Sequence, residues 1–184
     1  IAARDGRIDL VKVLIQNGAD VNAVAILNKY TALHFAAANG HVDVVKLLLE
    51  NGADVNAVDK VKGTALHCAA MEGHADVARV LIQRAADLNA VDHWKRKALH
   101  WAAWNEHIPC TLQLLCFGAA IDEKAIEDDR TELLEPIENR LMLLRDGKQM
   151  GTTLMSEEER RFMWNLAYVL AVKHPGIAFG TYRR

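Results

Sequence analysis

Apolar residues in the first two-thirds of the chain recur every three or four positions, in short segments separated by polar turns. In residues 76–83, Val77, Val80 and Leu81 fall on one face of a helix. An alanine-rich segment, residues 64–70, comes before it, and its small side chains let two helices approach closely while Leu66 projects between them. The pattern therefore predicts pairs of short helices that pack on each other.

The same pattern returns at a fixed period. Tetrapeptides ending in Ala-Leu-His begin at Thr31, Thr64 and Lys97, and are spaced 33 residues apart. Each is followed by an alanine pair and then by a histidine, and each unit closes on Gly-Ala-Asp-Val-Asn-Ala or a variant of it. Gly18, Gly52 and Gly118 stand where a second helix would end in a left-handed residue. One helix pair cannot cover its own apolar face, so neighbouring copies must stack.

These motifs resemble the ankyrin repeat family, which has the same period and the signature Thr-Pro-Leu-His-x-Ala. Here the proline of that signature is replaced by Ala32, Ala65 and Ala98. The resemblance implies an all-α repeat protein, an ankyrin-type solenoid of stacked helix-turn-helix units with short hairpin fingers. It covers residues 1–123: a partial first copy at 1–23, then copies at about 24–57, 58–90 and 91–123. These four units are called copies 1 to 4.

Residues 124–184 do not continue the repeat, and we predict that they form a helical cap on copy 4. Helices are expected at about 129–145 and 156–173, the second opened by a capping box of Ser156 and Glu159. Copy 4 has three apolar residues where the other copies are polar, and we expect the tail to cover them: Leu112, Cys116 and Phe117.

Composition narrows the function. Lys and Arg number 22 and Asp and Glu 24, a net charge of −2 that argues against a nucleic-acid-binding protein. The longest apolar run, residues 166–172, is far shorter than the ~20 residues of a membrane-spanning helix. Three cysteines match no zinc spacing and cannot all pair, which favours an intracellular location, in the cytoplasm or the nucleus. The chain lacks an initiator methionine, and we expect it to be part of a longer protein.

Six of the eight histidines occupy two repeated columns, His34, His67 and His100, and His41, His74 and His107. The resemblance implies that they bond backbone groups, and the alternative is a metal or acid-base site. No nucleophile with its base and no phosphate-binding loop is present in the sequence, so we predict no enzyme, cofactor, metal or small-molecule substrate. Asn22, Asn56 and Asn89 are predicted to fix their own turn, and the resemblance leaves hydroxylation of Asn56 as an alternative.

The resemblance places partner binding on a concave surface of finger tips and outward positions of the first helix in each copy. The predicted partner-binding residues are Lys29, Lys60, Lys62, Met71, Glu72, His93, Trp94, Lys95, Trp104 and Asn105.

Two features of this surface each allow two interpretations. The first feature is a set of lysines spaced 33 residues apart, Lys29, Lys62 and Lys95, at a position where family members commonly have a turn glycine. Together with Lys60, Arg96 and Lys97, these lysines form either a solvated rim or a track for an acidic peptide. Trp94 and Trp104, with Met71, form either an apolar anchor site or, for Trp104, a surface that the rest of the chain covers.

The sequence therefore predicts a non-catalytic protein–protein interaction module or scaffold with a preformed concave surface. Its partner is another protein or peptide, acidic and with an apolar anchor in the sharper interpretation. The alternative is a targeting or regulatory segment of a larger enzyme or effector whose catalytic domain lies outside residues 1–184.

Overall fold

The computed structural model describes residues 1–105 and 107–119. The chain divides into two units, Ile1–Glu123 and Lys124–Arg184, and every described residue belongs to the first. This part of the chain contains seven α-helices and no strand: α1 Ile8–Gln16, α2 Ala32–Ala38, α3 Val42–Glu50, α4 Ala65–Met71, α5 Ala75–Gln83, α6 Ala98–Trp104 and α7 Ile108–Cys116. The predicted C-terminal cap lies outside the described residues and stays a prediction.

The three seven-residue helices, α2, α4 and α6, follow the repeated Thr or Lys. Ahead of α2, the Thr31 hydroxyl oxygen accepts the N–H of His34 at 3.4 Å, and Nδ1 of His34 accepts the N–H of Thr31 at 3.2 Å. This reciprocal pair satisfies N–H groups that a helix start would otherwise leave without partners. Ala36 and Ala37 are fully buried, which lets the next short helix come close.

The four nine-residue helices, α1, α3, α5 and α7, carry the apolar stripe. In α3 the stripe of Val44, Val45 and Leu48 is buried. The helix ends at Glu50, and the φ of +83° at Gly52 then lets the N–H of Ala53 reach the carbonyl of Leu48 at 3.0 Å. In copy 3 the corresponding helix begins at Ala75, one residue earlier than the sequence predicted.

The helices stack in two layers. The short helices α2, α4 and α6 pack in one row, and α1, α3, α5 and α7 pack in the other, while each short helix also contacts the long helix that follows it. Leu33 and Leu66 are only 1% exposed, so the predicted burial of this column is confirmed. The predicted all-α stack of repeated helix pairs is confirmed as well.

Copies 1 and 4 depart from this pattern. Leu10 and Leu14 of α1 occupy the column of Val44 and Leu48, yet both are exposed. Within the described residues, α3 is the long helix that packs on α1, so the other face of α1 stays open. In copy 4, Leu112 is buried, whereas Cys116 and Phe117 are exposed, and the tail predicted to cover them lies outside the described residues.

Candidate partner-binding surface

A tight loop precedes each short helix, and we call these loops finger 2 (residues 25–30), finger 3 (residues 59–63) and finger 4 (residues 92–96). In finger 3 the N–H of Asp59 donates to the carbonyl of Gly63 at 2.9 Å. The Asp59 carboxylate is buried and accepts the N–H groups of Val61 at 2.8 Å and Gly63 at 2.7 Å. The aspartate thus supplies the acceptor that shapes the finger.

Finger 4 has the same construction. Asp92 is buried, and its Oδ1 accepts the N–H groups of Trp94 and Arg96, both at 2.9 Å. Its second oxygen accepts the indole N–H of Trp101 at 2.8 Å. Asp92 therefore connects the finger to helix α6, so both carboxylate oxygens hold the aromatic part of the surface in place.

Finger 2 is one residue longer and has no aspartate. The N–H of Ala25 donates to the carbonyl of Tyr30 at 2.8 Å, and the Asn28 side chain accepts the N–H of Tyr30 at 3.0 Å. The added residue turns Ile26 and Leu27 into solvent, where Leu27 is 87% exposed. Apolar side chains at this end of the row are therefore available to a partner.

The fingers are joined to one another through the backbone. The N–H of Lys60 in finger 3 donates to the carbonyl of Asn28 in finger 2 at 2.9 Å. The N–H of His93 in finger 4 donates to the carbonyl of Val61 in finger 3 at 2.7 Å. Because each finger is tied to the next, the row forms one ordered edge along the stack.

Three lysines occupy the finger tips in a costly conformation. Lys29, Lys62 and Lys95 have φ values of 58°, 62° and 63° and are exposed. This left-handed region costs a residue with a Cβ atom about 1–2 kcal/mol, which glycine avoids. Lys60 is exposed beside them, and no ion pair between described residues uses any of these four lysines.

The basic track is shorter than the sequence predicted. Lys97 is only 6% exposed, at the start of α6, so it does not belong to the finger tips. Arg96 is half-buried, and its guanidinium lies 5.1 Å from the ring centre of Trp101 and 4.8 Å from that of Trp104. Inclusion of Arg96 and Lys97 in the exposed track was therefore wrong, because one is buried and the other packs against two indole rings.

The tryptophans of copy 4 form a connected group. Trp94 is 55% and Trp104 is 48% exposed, whereas Trp101, which lies on α6 and donates to Asp92 of finger 4, is half-buried. Trp94 meets Trp101 edge to face at 6.3 Å, and Arg96 bridges Trp101 and Trp104. Two large rings are therefore presented at the surface, each supported by an ordered neighbour.

The remaining predicted residues surround this group. His93 is exposed and meets Trp94 edge to face at 5.9 Å. Met71 is half-buried and Glu72 is exposed at the end of α4. The side-chain amide of Asn105 donates to the carbonyl of Met71 at 3.0 Å, so copies 3 and 4 are bonded at this point.

In the first histidine column, His34 and His67 are structural and bond forward along the stack. Nε2 of His34 lies 3.2 Å from the carbonyl of Gly63, and Nε2 of His67 lies 3.1 Å from that of Arg96. A carbonyl only accepts, so Nε2 donates, and Nδ1 of His34 is left as the acceptor for Thr31. This arrangement needs neutral imidazoles, and burial lowers the pKa of His34 and His67.

The second column bonds backward. Nε2 of His41, His74 and His107 lies 2.8, 3.2 and 3.0 Å from the carbonyls of Arg4, Ala38 and Met71, each in the preceding copy. The His74 ring also lies against Gly40, whose Cα could not carry a Cβ atom without approaching Nδ1 to 2.7 Å. Both columns therefore connect neighbouring copies, as the structural interpretation required.

Asn22 and Asn56 also connect copies, which differs from the local role that the sequence predicted for them. The Asn22 side chain donates to the carbonyl of Gly52 at 3.0 Å and accepts the N–H of Asp54 at 2.8 Å, both in copy 2. The local turn is instead closed by Asp20, whose carboxylate accepts the N–H of Asn22 at 2.9 Å. The prediction of a local bond was wrong because the Asn22 side chain meets the backbone of copy 2 only when the copies stack.

A family model for ankyrin repeats in many copies matches residues 1–49, 39–82 and 66–117. The chain belongs to the ankyrin repeat family. No curated protein matches it. Ankyrin repeats are generally protein–protein interaction modules, and the family is typically non-catalytic.

Within the described ankyrin repeats, no group of three or more His, Cys, Asp or Glu side chains is arranged to hold a metal ion. Cys68 and Cys110 are buried, and burial raises the pKa of each thiol to about 12, which keeps them protonated at neutral pH. None of the helices of residues 1–105 and 107–119 combines the length and hydropathy needed to cross a membrane.

The roles of two residues at this ankyrin surface were missed from the sequence. Asp92 accepts the indole N–H of Trp101, and Arg96, which was expected at the exposed tips, instead packs against Trp101 and Trp104. Leu27 extends the row in finger 2, and the sequence signals the longer finger because Asn22 and Asn56 are 34 residues apart while Asn56 and Asn89 are 33 apart. The position of Arg96 gave no such signal, since it depends on how finger 4 folds against α6.

Proposed function

We propose that this ankyrin domain is a non-catalytic interaction module that binds an acidic segment of another protein through an apolar anchor. The binding surface comprises the finger row and the adjoining ends of α4 and α6. Its members are Lys29, Lys60, Lys62, Met71, Glu72, His93, Trp94, Lys95, Trp104 and Asn105.

The observation that carries this proposal is the left-handed backbone of Lys29, Lys62 and Lys95. Glycine would relieve strain at all three tips, yet each tip has a lysine whose ammonium group is in solvent. Charge that is retained at a cost in stability supports a binding role, because a surface that only had to stay hydrated could use glycine there.

The tryptophans support the anchor. Tryptophan is enriched among residues that dominate binding energy, and Trp94 and Trp104 expose about half of their surface while their neighbours hold them in place. Because the fingers are already bonded to one another, binding orders little of this surface, which reduces its entropic cost.

We also propose an intracellular location, in the cytoplasm or the nucleus, and a protein rather than a nucleic acid, a membrane or a small molecule as the ligand. The unpaired thiols of Cys68 and Cys110 support a reducing compartment. The net charge of −2 supports local rather than global attraction to acidic groups.

The proposal is tested by fluorescence anisotropy with a labelled peptide of glutamate and glycine that carries one phenylalanine. Lys62→Glu and Trp104→Ala should each weaken binding strongly and leave the circular dichroism spectrum unchanged. Lys12→Glu is the matched control, because it makes the same change of charge at an exposed site on α1, away from the fingers.

Salt provides a second readout. Raising the salt from about 0.1 M, where charges are screened beyond ~10 Å, to about 1 M, where screening acts within ~3 Å, should weaken binding steeply. An affinity that does not change with salt, or a Lys12→Glu variant as weak as Lys62→Glu, would contradict the proposed surface. A Trp104→Ala variant that loses thermal stability instead of affinity would remove Trp104 from it.

A further inference from the structure

The spacing between equivalent finger residues follows from the backbone hydrogen bonds. Lys60 and Val61 are consecutive, and Val61 accepts the N–H of His93, the equivalent of Lys60 in the next finger. Consecutive Cα atoms are ~3.8 Å apart, and hydrogen-bonded chains lie ~4.7–5.5 Å apart. Equivalent tips are therefore about 6–9 Å apart, from about 6 Å if the two steps are perpendicular to about 9 Å if they are in line.

Helix packing favours the upper end of this range. The short helices α2, α4 and α6 stack in one layer directly behind the fingers. Packed helices have axes ~8–10 Å apart, so the fingers that precede them repeat at the same distance. Lys29, Lys62 and Lys95 therefore form a row of positive charges with a spacing of about 9 Å.

The fingers offer a partner few backbone donors. The N–H groups of Lys60, Val61, Lys62 and Gly63 all bond inside the finger row. A peptide that joins a sheet edge relies on main-chain hydrogen bonds, which these consumed donors cannot give. A peptide bound here is therefore held by its side chains.

Among regular peptide conformations, polyproline II fits the lysine row best. It has three residues per turn and rises ~3.1 Å per residue, so every third side chain lies on one face at ~9.3 Å. An α-helix returns to the same face after seven residues, or ~10.5 Å, and drifts out of step along the row. Same-face residues of a strand are ~6.7 or ~13 Å apart, and neither value matches.

The aromatic end of the row favours the same conformation. Proline-rich segments bind grooves lined by aromatic rings, because their backbone is already ordered. Trp94 directly precedes Lys95, the last lysine of the row, and the exposed Trp104 packs on Arg96, the residue that follows Lys95. A proline beside the last acidic residue of a bound peptide would meet these rings.

From the pitch, the charge and the rings together, we propose that the partner segment is an acidic polyproline II peptide with a carboxylate at every third residue and proline in between. Its carboxylates pair with Lys29, Lys62 and Lys95 in order, and its prolines pack on Trp94 and Trp104. This inference rests on the proposed function and adds the conformation and the period of the partner.

The test uses three labelled peptides in fluorescence anisotropy. The first repeats Glu-Pro-Ser, the second has the same composition with its glutamates at alternate positions, and the third is helical with glutamate at every seventh residue. The first should bind roughly fivefold to tenfold more tightly than either of the others, because only it aligns several exposed ion pairs at once.

Substitution by glycine separates binding from folding. The triple variant Lys29→Gly, Lys62→Gly, Lys95→Gly should lose the preference for the first peptide while its melting temperature stays equal or rises, since glycine adopts these φ values without strain. Lys12→Ala, which removes an exposed charge on α1, is the control and should keep the preference.

The outcomes distinguish the two proposals. Equal binding of the first and second peptides, with both weakened in the glycine variant, would overturn the polyproline II inference and leave the acidic partner standing. Tighter binding of the helical peptide would do the same. If none of the three binds at low salt, both proposals fail.

Discussion

Leu48 and Leu14 allow the stacking energy to be measured at one position with and without a neighbour. They occupy the same column of successive long helices, but Leu48 is 1% exposed and Leu14 is 45% exposed. The difference arises because α3 packs between α1 and α5, whereas one face of α1 is open within the described residues. Replacing each by alanine makes the same chemical change in two different surroundings.

The magnitudes follow from burial. Leucine to alanine removes three carbon atoms, which contribute ~0.8 kcal/mol each when fully buried, and an enclosed site adds the cost of the cavity. Leu48→Ala should therefore lower the free energy of unfolding by about 3–4 kcal/mol. Leu14→Ala loses about half of the transfer term and leaves no closed cavity, so about 1 kcal/mol is expected.

The assay is urea unfolding of both variants and the wild type, followed by circular dichroism at constant protein concentration. A displaced midpoint with an unchanged slope reports a change in stability, whereas a changed slope indicates that the stack no longer unfolds as one unit. Equal losses for Leu48→Ala and Leu14→Ala would refute the reasoning, because burial by the adjacent copy would then contribute nothing.

Three further predictions concern the bonds between and within copies. Burial lowers the pKa of His34 and His67 below 6.5 in the folded state, so the unfolded chain binds more protons than the folded chain below pH 6.5. The free energy of unfolding should therefore be full above pH 6.5 and fall as the pH drops through it, by up to ~1.4 kcal/mol per pH unit for each histidine. Urea titration at several pH values tests this, and a free energy of unfolding that is flat between pH 7 and pH 5 would contradict it. Gly40→Ala should lower the free energy of unfolding by at least about 2 kcal/mol, because the added Cβ is strained at this φ and approaches the His74 ring. Gly52→Ala should lower it by about 1 kcal/mol, because there the added Cβ meets nothing within 4 Å and only the strain remains. Equal losses would show that the ring contact is unimportant. Ala85→Gly should raise the free energy of unfolding by up to about 1 kcal/mol, because Ala85 has a φ of 65° that glycine adopts without strain. Ala86→Gly, at the neighbouring buried residue, should lower it. A loss of stability in both variants would exclude relief of strain.

Much of the fold could be predicted because its determinants are close in sequence. The spacing of Val77, Val80 and Leu81 specifies the buried face of α5, and the aspartate of finger 3 lies within four residues of the groups that it bonds. Both depend on local geometry and on a period that the sequence repeats. Exposed finger-tip lysines and tryptophans could be placed in the same way, by counting along the period.

Other features depend on which groups meet across copies. Asn22 was expected to bond its own turn and instead bonds Gly52, and Arg96 was expected at the tips and instead packs on Trp101 and Trp104. Neither contact follows from sequence spacing, because each joins groups brought together only when loops and helices pack.

By itself, the sequence determined that this protein is a stack of ankyrin helix pairs, since each pair has an apolar face that only another copy can cover. The tertiary structure decided which of the equivalent residues are buried, which side chains connect the copies, and that Lys29, Lys62 and Lys95 adopt a left-handed backbone. The physical reason is that periodicity makes equivalent residues look alike along the chain, whereas their burial and their strain depend on the neighbours that stacking provides.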